Sequence, residues 1–461
     1  MEKYKKYIPY IALIVTCIAV YFPILGNDFQ YNWDDQWVVM NYYTEGGLNF
    51  NNFVSILTEY YHGQYGPLNQ YMLLFLYNIF GYDAFAFHAT SLFIHIANVC
   101  LVFICFKKIL EKNVRIKTDS AKLIAFLTAL IFSIHPMNVE SVAWMSAVKI
   151  LNYTFFYLAA TYTFLKFLEK TKIVYLIFTV ILFTLSFGGK EQAVTFPLWL
   201  LLIYWLYGYS FKARKLWVQV TPFFVLSIVF GIITMLSQSA VGAGVLTNEE
   251  SYPLWQRFIL GCYSLFEYIA KFLFPYKLMH VYPFPMIIGE PLPGWMLFYP
   301  AFIVIIAITL TKYISKPVAT GLIFFFIHIA IALHIIPLSR FAVIADRYIY
   351  VASIGLSFII SYYFVLFISK KKGVIKNTLS IFFACIILYL GVFSYLRSQK
   401  WIDSESIKKE LRELIKQRPD YTPEKYKEFI EPAKQKEIST ESYNLLRKER
   451  RRPFPRERDK E

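Results

Sequence analysis

The sequence has few charged residues, and acidic residues are scarce until its C-terminal tail. Only 17% of its 461 residues are charged, whereas 57% are hydrophobic. Because a soluble core cannot bury so much apolar surface, the composition excludes an ordinary water-soluble protein. The five cysteines all stand in apolar segments and form no paired C-x-x-C spacing. They are predicted to pack as small hydrophobic side chains, not as disulfides or metal ligands.

Several motifs of soluble proteins are also missing. There is no Gly-rich phosphate loop and no G-x-S-x-G elbow, so nucleotide-dependent chemistry has no support. The net charge of +16 comes from Lys and Arg in short loops and in the tail. Membrane orientation and anionic headgroups explain that pattern, and no nucleic-acid partner is predicted. No small-residue cleavage site precedes Asn27, so the first apolar run is predicted to be a retained span.

What the sequence does contain is a series of apolar segments that are long enough to cross a bilayer. A helical span needs about 20 residues, and lipid forces the backbone to satisfy its own hydrogen bonds. We therefore predict an all-α polytopic membrane protein of about eleven transmembrane helices. The predicted spans are 8–25, 84–106, 122–137, 150–167, 173–187, 192–208, 216–236, 294–311, 318–337, 347–369 and 378–396.

The distribution of Lys and Arg predicts which segments lie outside the cytoplasm, because short basic loops stay inside. The transmembrane domain, 1–396, is predicted to place a long first loop, 26–83, outside, with an interfacial helix in it. Segment 237–293 is predicted to be external or re-entrant, with 256–274 not crossing the membrane. The polar tail, 397–461, is predicted to end outside, with a helix near Ser404–Gln417 and a disordered end from 447 to 461.

The first loop carries two adjacent carboxylates, Asp34 and Asp35, directly after Trp33. Such a pair can deprotonate a nucleophile, hold a cation or bind a polyol. The alternative interpretation is a solvated acidic pair without function. The flanking Trp33 and Trp37 favour a partly buried, interfacial setting.

Other polar residues near membrane depth are predicted to converge on the same side as this pair. Charged groups there are costly, so several of them on one side indicate a shared polar cavity. Lys190 and Glu191 could also form a simple ion pair, Asp346 and Arg347 could satisfy each other, and His135 could cap the third span. The converging residues are His135, Glu140, Lys149, Lys190, Glu191, Arg340, Asp346 and Arg347.

Taken in order, several segments resemble the GT-C superfamily of polyprenyl-phosphate-sugar glycosyltransferases. The resemblance is strongest to TPR-bearing transmembrane O-mannosyltransferases and their bacterial relatives. It covers most of residues 20–405. The matching segments, taken together in their order, are more specific for this superfamily than any one motif. The matching segments are NDFQYNWDDQWVV, YGPLNQYMLLFLYNIFGYDAFAFHATSLFIHIANVCLVF, LIFSIHPMNVESVAWMSAVKILNY, GGKEQAVTFPLWLLLIYW, IADRYIYVASIGLSF and YLRSQKWIDSES.

The resemblance implies a GT-C-like fold and an inverting enzyme. Such an enzyme moves a hexose such as mannose from a polyprenyl-phosphate carrier to a protein or glycan acceptor. It implies Asp34 as the general base with Asp35 assisting, and Lys149, Lys190 and Arg347 as the cations that bind the donor phosphate.

The resemblance also implies an integral membrane protein surrounded by membrane lipids. Its active site would face the periplasm or exterior from a bacterial inner membrane, or the lumen from an ER membrane. Whether a divalent cation assists stays open. The alternative functions are a lipid or polysaccharide transporter, which would also place charges in a membrane cavity, and a catalytically silent membrane scaffold.

Overall fold

The computed structural model of the chain describes residues 6–31, 33–112, 117–240, 252–311, 314–334, 342–418, 421–424 and 426–427. Within these ranges the regular secondary structure is helical, and β pairing is limited to two isolated bridges, Tyr61 with Gln64 and Tyr282 with Ile344. The predicted all-α fold class is therefore confirmed. The predicted disordered end, 447–461, lies outside the described residues.

The α-helices in the described ranges fall where the apolar segments are, with short helices in the first loop. They are α1 Ile8–Tyr21, α2 Asp35–Val38, α3 Tyr42–Glu45, α4 Phe50–Thr58, α5 Pro67–Phe80, α6 Ala84–Glu111, α7 Thr118–Ile134, α8 Val139–Ala143, α9 Val148–Lys170, α10 Ile173–Gly189, α11 Phe196–Leu206, α12 Arg214–Ser239, α13 Leu254–Leu273, α14 Phe298–Thr311, α15 Lys316–Ile329, α16 Ala352–Ser369, α17 Gly373–Gln399 and α18 Ser404–Lys416.

Among the described residues, five helices are long and apolar enough to cross a membrane. A sixth candidate is the bent pair Thr118–Ile134 and Pro136–Ala143. Four shorter apolar helices cover 173–189, 191–206, 294–309 and 316–332. The chain is thus a helical membrane protein, but the predicted number of eleven spans is not confirmed. Helix α13 covers the segment that was predicted not to cross, and its placement relative to a bilayer stays a prediction.

A bend after α7 shapes the middle of the protein. The chain bends by 56° between the helical segments Thr118–Ile134 and Pro136–Ala143. Pro136 causes the break, because proline lacks an N–H and keeps the preceding residue out of the helical region. His135 is extended there, and its Nδ1 accepts a hydrogen bond from the Met137 N–H at 3.3 Å. The bend makes room for α8 and for the 3₁₀ turn Met145–Ala147 before α9 begins.

A second local feature is the close approach at the end of α10. A Cβ at Gly189 would lie 2.6 Å from the backbone nitrogen of Tyr153, so only glycine fits against α9. The Gly189 carbonyl accepts a hydrogen bond from Asn69 Nδ2 at 2.6 Å, which ties it to α5. Lys190 follows directly in an extended conformation, with φ at −160°. The packing of Gly189 therefore fixes where the Lys190 side chain begins.

The start of the polar tail packs against the first loop. The Asp28 N–H donates to the Ile402 carbonyl at 2.9 Å, and Gln30 Nε2 donates to the Trp401 carbonyl at 2.8 Å. Asn27 Nδ2 also donates to the Ser398 carbonyl at 3.2 Å. The two segments therefore lie at the same end of the helix bundle. The predicted tail helix is present as α18, whose buried face consists of Ser404, Ile407, Leu411 and Ile415.

Candidate active site at the first loop

Asp34 stands at the entrance of α2 in an unusual backbone conformation. Its φ is 92°, in the left-handed region that side chains other than glycine rarely adopt. Such a conformation costs on the order of 1–3 kcal/mol, and four other non-glycine residues in the described ranges also have positive φ, namely His62, Thr171, Lys277 and His334. The side chain is partly exposed, and its Oδ1 accepts a hydrogen bond from Trp37 Nε1 at 3.2 Å. One carboxylate oxygen therefore has a fixed partner, and the group remains accessible.

Asp35 points the other way and is fully buried. Its Oδ2 accepts from the Gln30 N–H at 2.8 Å, and its Oδ1 accepts from the Ser146 N–H at 2.9 Å and from the Ser146 hydroxyl. Burial raises the pKa of Asp35 to about 7, although these donors oppose the shift. The side chain anchors the first loop to the segment before α9. The assisting role in catalysis that the resemblance implies for Asp35 stays a prediction.

The electrostatics of Asp34 connect it to two of the predicted cations. Burial raises the pKa of the Asp34 carboxyl, while the hydrogen bond from Trp37 and the positive charges of Lys149 and Arg347 lower it. The ammonium of Lys149 also interacts with the charges of Lys190 and Arg347. The structure thus brings Asp34, Lys149, Lys190 and Arg347 into one electrostatic neighbourhood. These residues come from four separate segments of the chain.

Each of the two lysines is held by one partner. Lys149 Nζ donates to Gln64 Oε1 at 2.9 Å. Lys190 Nζ lies 3.1 Å from Glu191 Oε1, so the predicted ion pair is present, and the lysine is 8% exposed. Lys190 also lies 6.0 Å from the ring centre of Tyr348. Among the described contacts, the Glu191 carboxylate therefore fixes the position of the Lys190 ammonium group.

Arg347 is oriented by Glu140, which is fully buried at the start of α8. The two carboxylate oxygens of Glu140 accept from the Arg347 guanidinium at 2.5 Å and from the Arg347 N–H at 3.1 Å. The guanidinium carbon also lies 5.3 Å from the ring centre of Trp144 and 5.0 Å from that of Tyr348. A buried carboxylate and two aromatic rings therefore set the direction in which Arg347 points.

Asp346 does not pair with its neighbour Arg347, contrary to one sequence-based alternative. Its Oδ2 lies 2.8 Å from Arg397 Nη2, and its Oδ1 accepts from the Tyr282 hydroxyl at 2.8 Å. Arg397 also donates to the Leu278 carbonyl at 2.6 Å. Because Asp346 and Arg397 are both buried, this pair fixes the end of α17 to the 3₁₀ turn Asp346–Ile349. The contacts of Tyr282 and Leu278 join the loop after α13 to the same pair.

His135, another predicted residue, does not join the site. His135 is buried, stacks on Phe272 with ring centres 4.1 Å apart, and donates from Nε2 to the Phe272 carbonyl at 2.9 Å. It fixes α13 to the bend after α7, which agrees with the structural interpretation of this histidine. Arg340 lies outside the described residues. No group of three metal-ligating side chains is found among the residues that the structure describes.

Sequence reasoning missed several residues that shape the site. Gln64 had no signal, since a lone glutamine in a loop carries no pattern. Ser146 and Trp144 stand in the HPMNVESVAWMSAVK segment but are uncharged, so a search for charges passed over them. Trp401 stacks on Trp144 with ring centres 6.0 Å apart and 27° between planes, and it is 2% exposed. His280 lies 4.7 Å from Trp33, ring centre to ring centre.

Comparison with known proteins gives little information on identity. No protein family model and no curated protein match the sequence. Among solved structures, the chain is similar to the crystal structure of the Archaeoglobus fulgidus oligosaccharyltransferase in its apo form. The match has 14% sequence identity and a TM-score of 0.45, and it covers 94% of this chain and 60% of the archaeal one. At this level of similarity it supports no assignment of activity.

Proposed function

We propose that the chain is an inverting membrane glycosyltransferase. It would move a hexose from a polyprenyl-phosphate carrier to a hydroxyl-bearing acceptor. The transfer would take place at the end of the helix bundle where the first loop lies. The observation that carries the proposal is that the charges of Lys149 and Arg347 act on the partly exposed Asp34 carboxylate, and that the charge of Lys190 acts on Lys149. A base next to a cluster of cations suits a reaction that takes a proton from one group and creates an anion on another.

The proposed reaction is a single displacement. The acceptor oxygen forms a bond to the anomeric carbon, and its proton passes to the Asp34 carboxylate. The bond between that carbon and the phosphate oxygen breaks, and the electron pair leaves on the polyprenyl phosphate. Lys149 and Arg347 would stabilise the added negative charge, and Lys190 would contribute through its proximity to Lys149. Attack opposite the leaving group inverts the anomeric configuration.

The surroundings of these residues suit their proposed roles. Trp37 restrains one oxygen of Asp34, and the hydrogen bonds of Asp35 hold the loop in place. Glu140 fixes Arg347 without using all of its donors, since guanidinium has five N–H groups. A metal site would need further ligands beside Asp34, and Asp35 is buried and already accepts from three donors. We therefore propose no step through a metal.

The test uses the full-length chain purified in lipid nanodiscs. It is incubated with a panel of polyprenyl-phosphate hexoses and with a hydroxyl-bearing acceptor, either a trisaccharide or a threonine-containing peptide. Free polyprenyl phosphate is measured, and the anomeric configuration of the product is read by NMR. The proposal expects release of the carrier phosphate from at least one donor and a product of inverted configuration. A product of retained configuration, or substrate flux across vesicles without any covalent transfer, would overturn it.

A further inference from the structure

A cleft with both polar and apolar walls lies between the first loop and helices α5 and α9. Its volume is about 50 Å³, and it reaches about 570 Å³ only when the space at its open mouth is counted. The side chains that matter for its chemistry are Trp37, Glu59, Tyr61, Gln64, Gln70 and Lys149. None of the charged residues singled out from the sequence lies in it except Lys149.

The cleft and the candidate active site share their walls. Trp37 lines the cleft and donates its indole N–H to Asp34. Lys149 lines the cleft and interacts electrostatically with the Asp34 carboxylate. Ser146 lines the cleft and holds Asp35, the neighbour of Asp34 in the chain. A molecule bound in the cleft would therefore lie beside the proposed base.

Three polar groups of the cleft, the amides of Gln64 and Gln70 and the carboxylate of Glu59, have hydrogen-bonding capacity to spare. Gln64 Oε1 accepts from Lys149, and Gln70 Oε1 lies 3.4 Å from Asn41 Nδ2. Within the described part of the chain, neither glutamine uses its amide N–H₂ group as a donor. Glu59 Oε2 accepts from the Tyr43 hydroxyl at 2.7 Å, which leaves Oε1 as an acceptor. The cleft thus presents both donors and acceptors to a ligand.

Aromatic rings stand beside these groups. The ring centres of Trp37 and Tyr61 lie 6.3 Å apart, and His62 packs 4.8 Å from Trp37. Aromatic rings offer an apolar face for the C–H surface of a ligand, while amides and carboxylates bind its hydroxyls. A peptide backbone usually adds to an exposed strand or fills an apolar groove. The described residues around the cleft form no strand to which a peptide could add.

We infer that this cleft binds the acceptor and that the acceptor is a glycan, whose hydroxyl-rich ring the amides of Gln64 and Gln70 recognise. The inference rests on the proposed transfer reaction, because it assigns the acceptor side of the same site. One hydroxyl of the bound sugar would face Asp34, and the anomeric carbon of the donor would lie between that hydroxyl and the donor phosphate.

Binding is measured without a donor, so that the result does not depend on transfer. The full-length chain in nanodiscs is examined by saturation-transfer NMR with mannotriose, maltotriose and chitotriose, and separately with a threonine-containing octapeptide. We expect at least one trisaccharide to bind and the octapeptide not to bind. Binding of the octapeptide alone, or of none of these probes, would overturn the inference.

Variants locate the binding site. Gln70→Ala and Gln64→Ala should each weaken binding of the trisaccharide about fivefold to tenfold, as expected for lost hydrogen bonds. Gln64 is the more exposed of these two side chains. Asn51→Ala, an exposed amide on α4 outside the cleft, is the matched control and should leave binding unchanged. Thermal unfolding of each variant confirms that it is folded. Unchanged affinity in both glutamine variants would show that the sugar binds elsewhere.

The two proposals fail in different ways. If a trisaccharide binds through Gln64 and Gln70 but no donor is consumed, the transferase proposal fails and the cleft remains a sugar site. If the chain transfers a hexose to an acceptor and both glutamine variants keep the wild-type KM for that acceptor, the transferase proposal stands and the cleft assignment fails.

Discussion

Asp35 accepts two hydrogen bonds from Ser146, one from the backbone N–H at 2.9 Å and one from the hydroxyl, across 111 positions of the chain. This contact fixes the distance between two segments that carry opposite charges. Asp34 precedes Asp35 directly, and Lys149 follows Ser146 by three residues. The buried carboxylate therefore places the exposed carboxylate beside its cation. The two adjacent aspartates have separate tasks, one in folding and one at the surface of the site.

The first prediction concerns the folding task. Asp35→Ala should lower the free energy of unfolding by about 2–5 kcal/mol, because it leaves the Gln30 and Ser146 N–H groups buried without an acceptor. Thermal unfolding in nanodiscs measures the change. Ser146→Ala removes one hydroxyl donor and should cost less. A melting temperature of Asp35→Ala equal to that of the wild type would contradict the anchoring role.

The second prediction concerns Glu140, which we regard as a positioning residue for Arg347. Glu140→Gln keeps the shape but removes the charge, so Arg347 should lose its fixed direction and the KM for the donor should rise about tenfold. Glu140→Asp should restore part of the donor affinity. Arg347→Lys should impair donor binding as well, because an ammonium group cannot copy the guanidinium geometry. An unchanged donor KM in Glu140→Gln would contradict this role.

The third prediction is a shift in pH dependence. Asp34 must be ionised to accept a proton, so kcat should fall as the pH drops through the pKa of this group. Burial raises that pKa, and the charge of Lys149 lowers it. Removing the charge in Lys149→Met should therefore raise the pKa of Asp34 and move the acid limb of the kcat profile to higher pH. The profile is recorded at saturating donor, and an unmoved acid limb would contradict the proximity of the two groups.

The fourth prediction concerns the start of the tail. Trp401 is buried against Trp144, and its carbonyl accepts from Gln30. Trp401→Ala should lower the free energy of unfolding by roughly 3–5 kcal/mol, as large-to-small changes in a core do. Trp255→Ala, at an exposed tryptophan, is the control. A Trp401→Ala variant as stable as the control would show that the tail is not part of the folded domain.

The sequence predicted most helices because apolar runs and proline breaks act locally. The segment from 84 to 106, for example, lies within α6, and Pro136 ends α7 as its lack of an N–H requires. Charges at the end of apolar runs also indicated Lys149, Lys190 and Arg347. Their cost in a membrane makes such residues stand out in a sequence.

The remaining features depend on contacts between distant segments, which no local pattern contains. Nothing in Asp34-Asp35 says which carboxylate faces inward, because that is decided by Ser146. The pairing of Asp346 with Arg397, and not with Arg347, is equally a product of tertiary packing. The sequence did not indicate Gln64, because its role depends on its contact with the charged Lys149.

The central claim is that Asp34 accepts the proton of the acceptor, and one comparison tests it most directly. The rate of polyprenyl-phosphate release is measured for Asp34→Asn and for Asp28→Asn, an exposed aspartate in the same loop that serves as the matched control. Both variants should melt at the wild-type temperature, since asparagine keeps the size of each side chain and the oxygen that accepts its hydrogen bond. We predict that Asp28→Asn releases phosphate at the wild-type rate and that Asp34→Asn loses at least 100-fold, about the contribution of a general base. Release by Asp34→Asn at the rate of the control would contradict the claim.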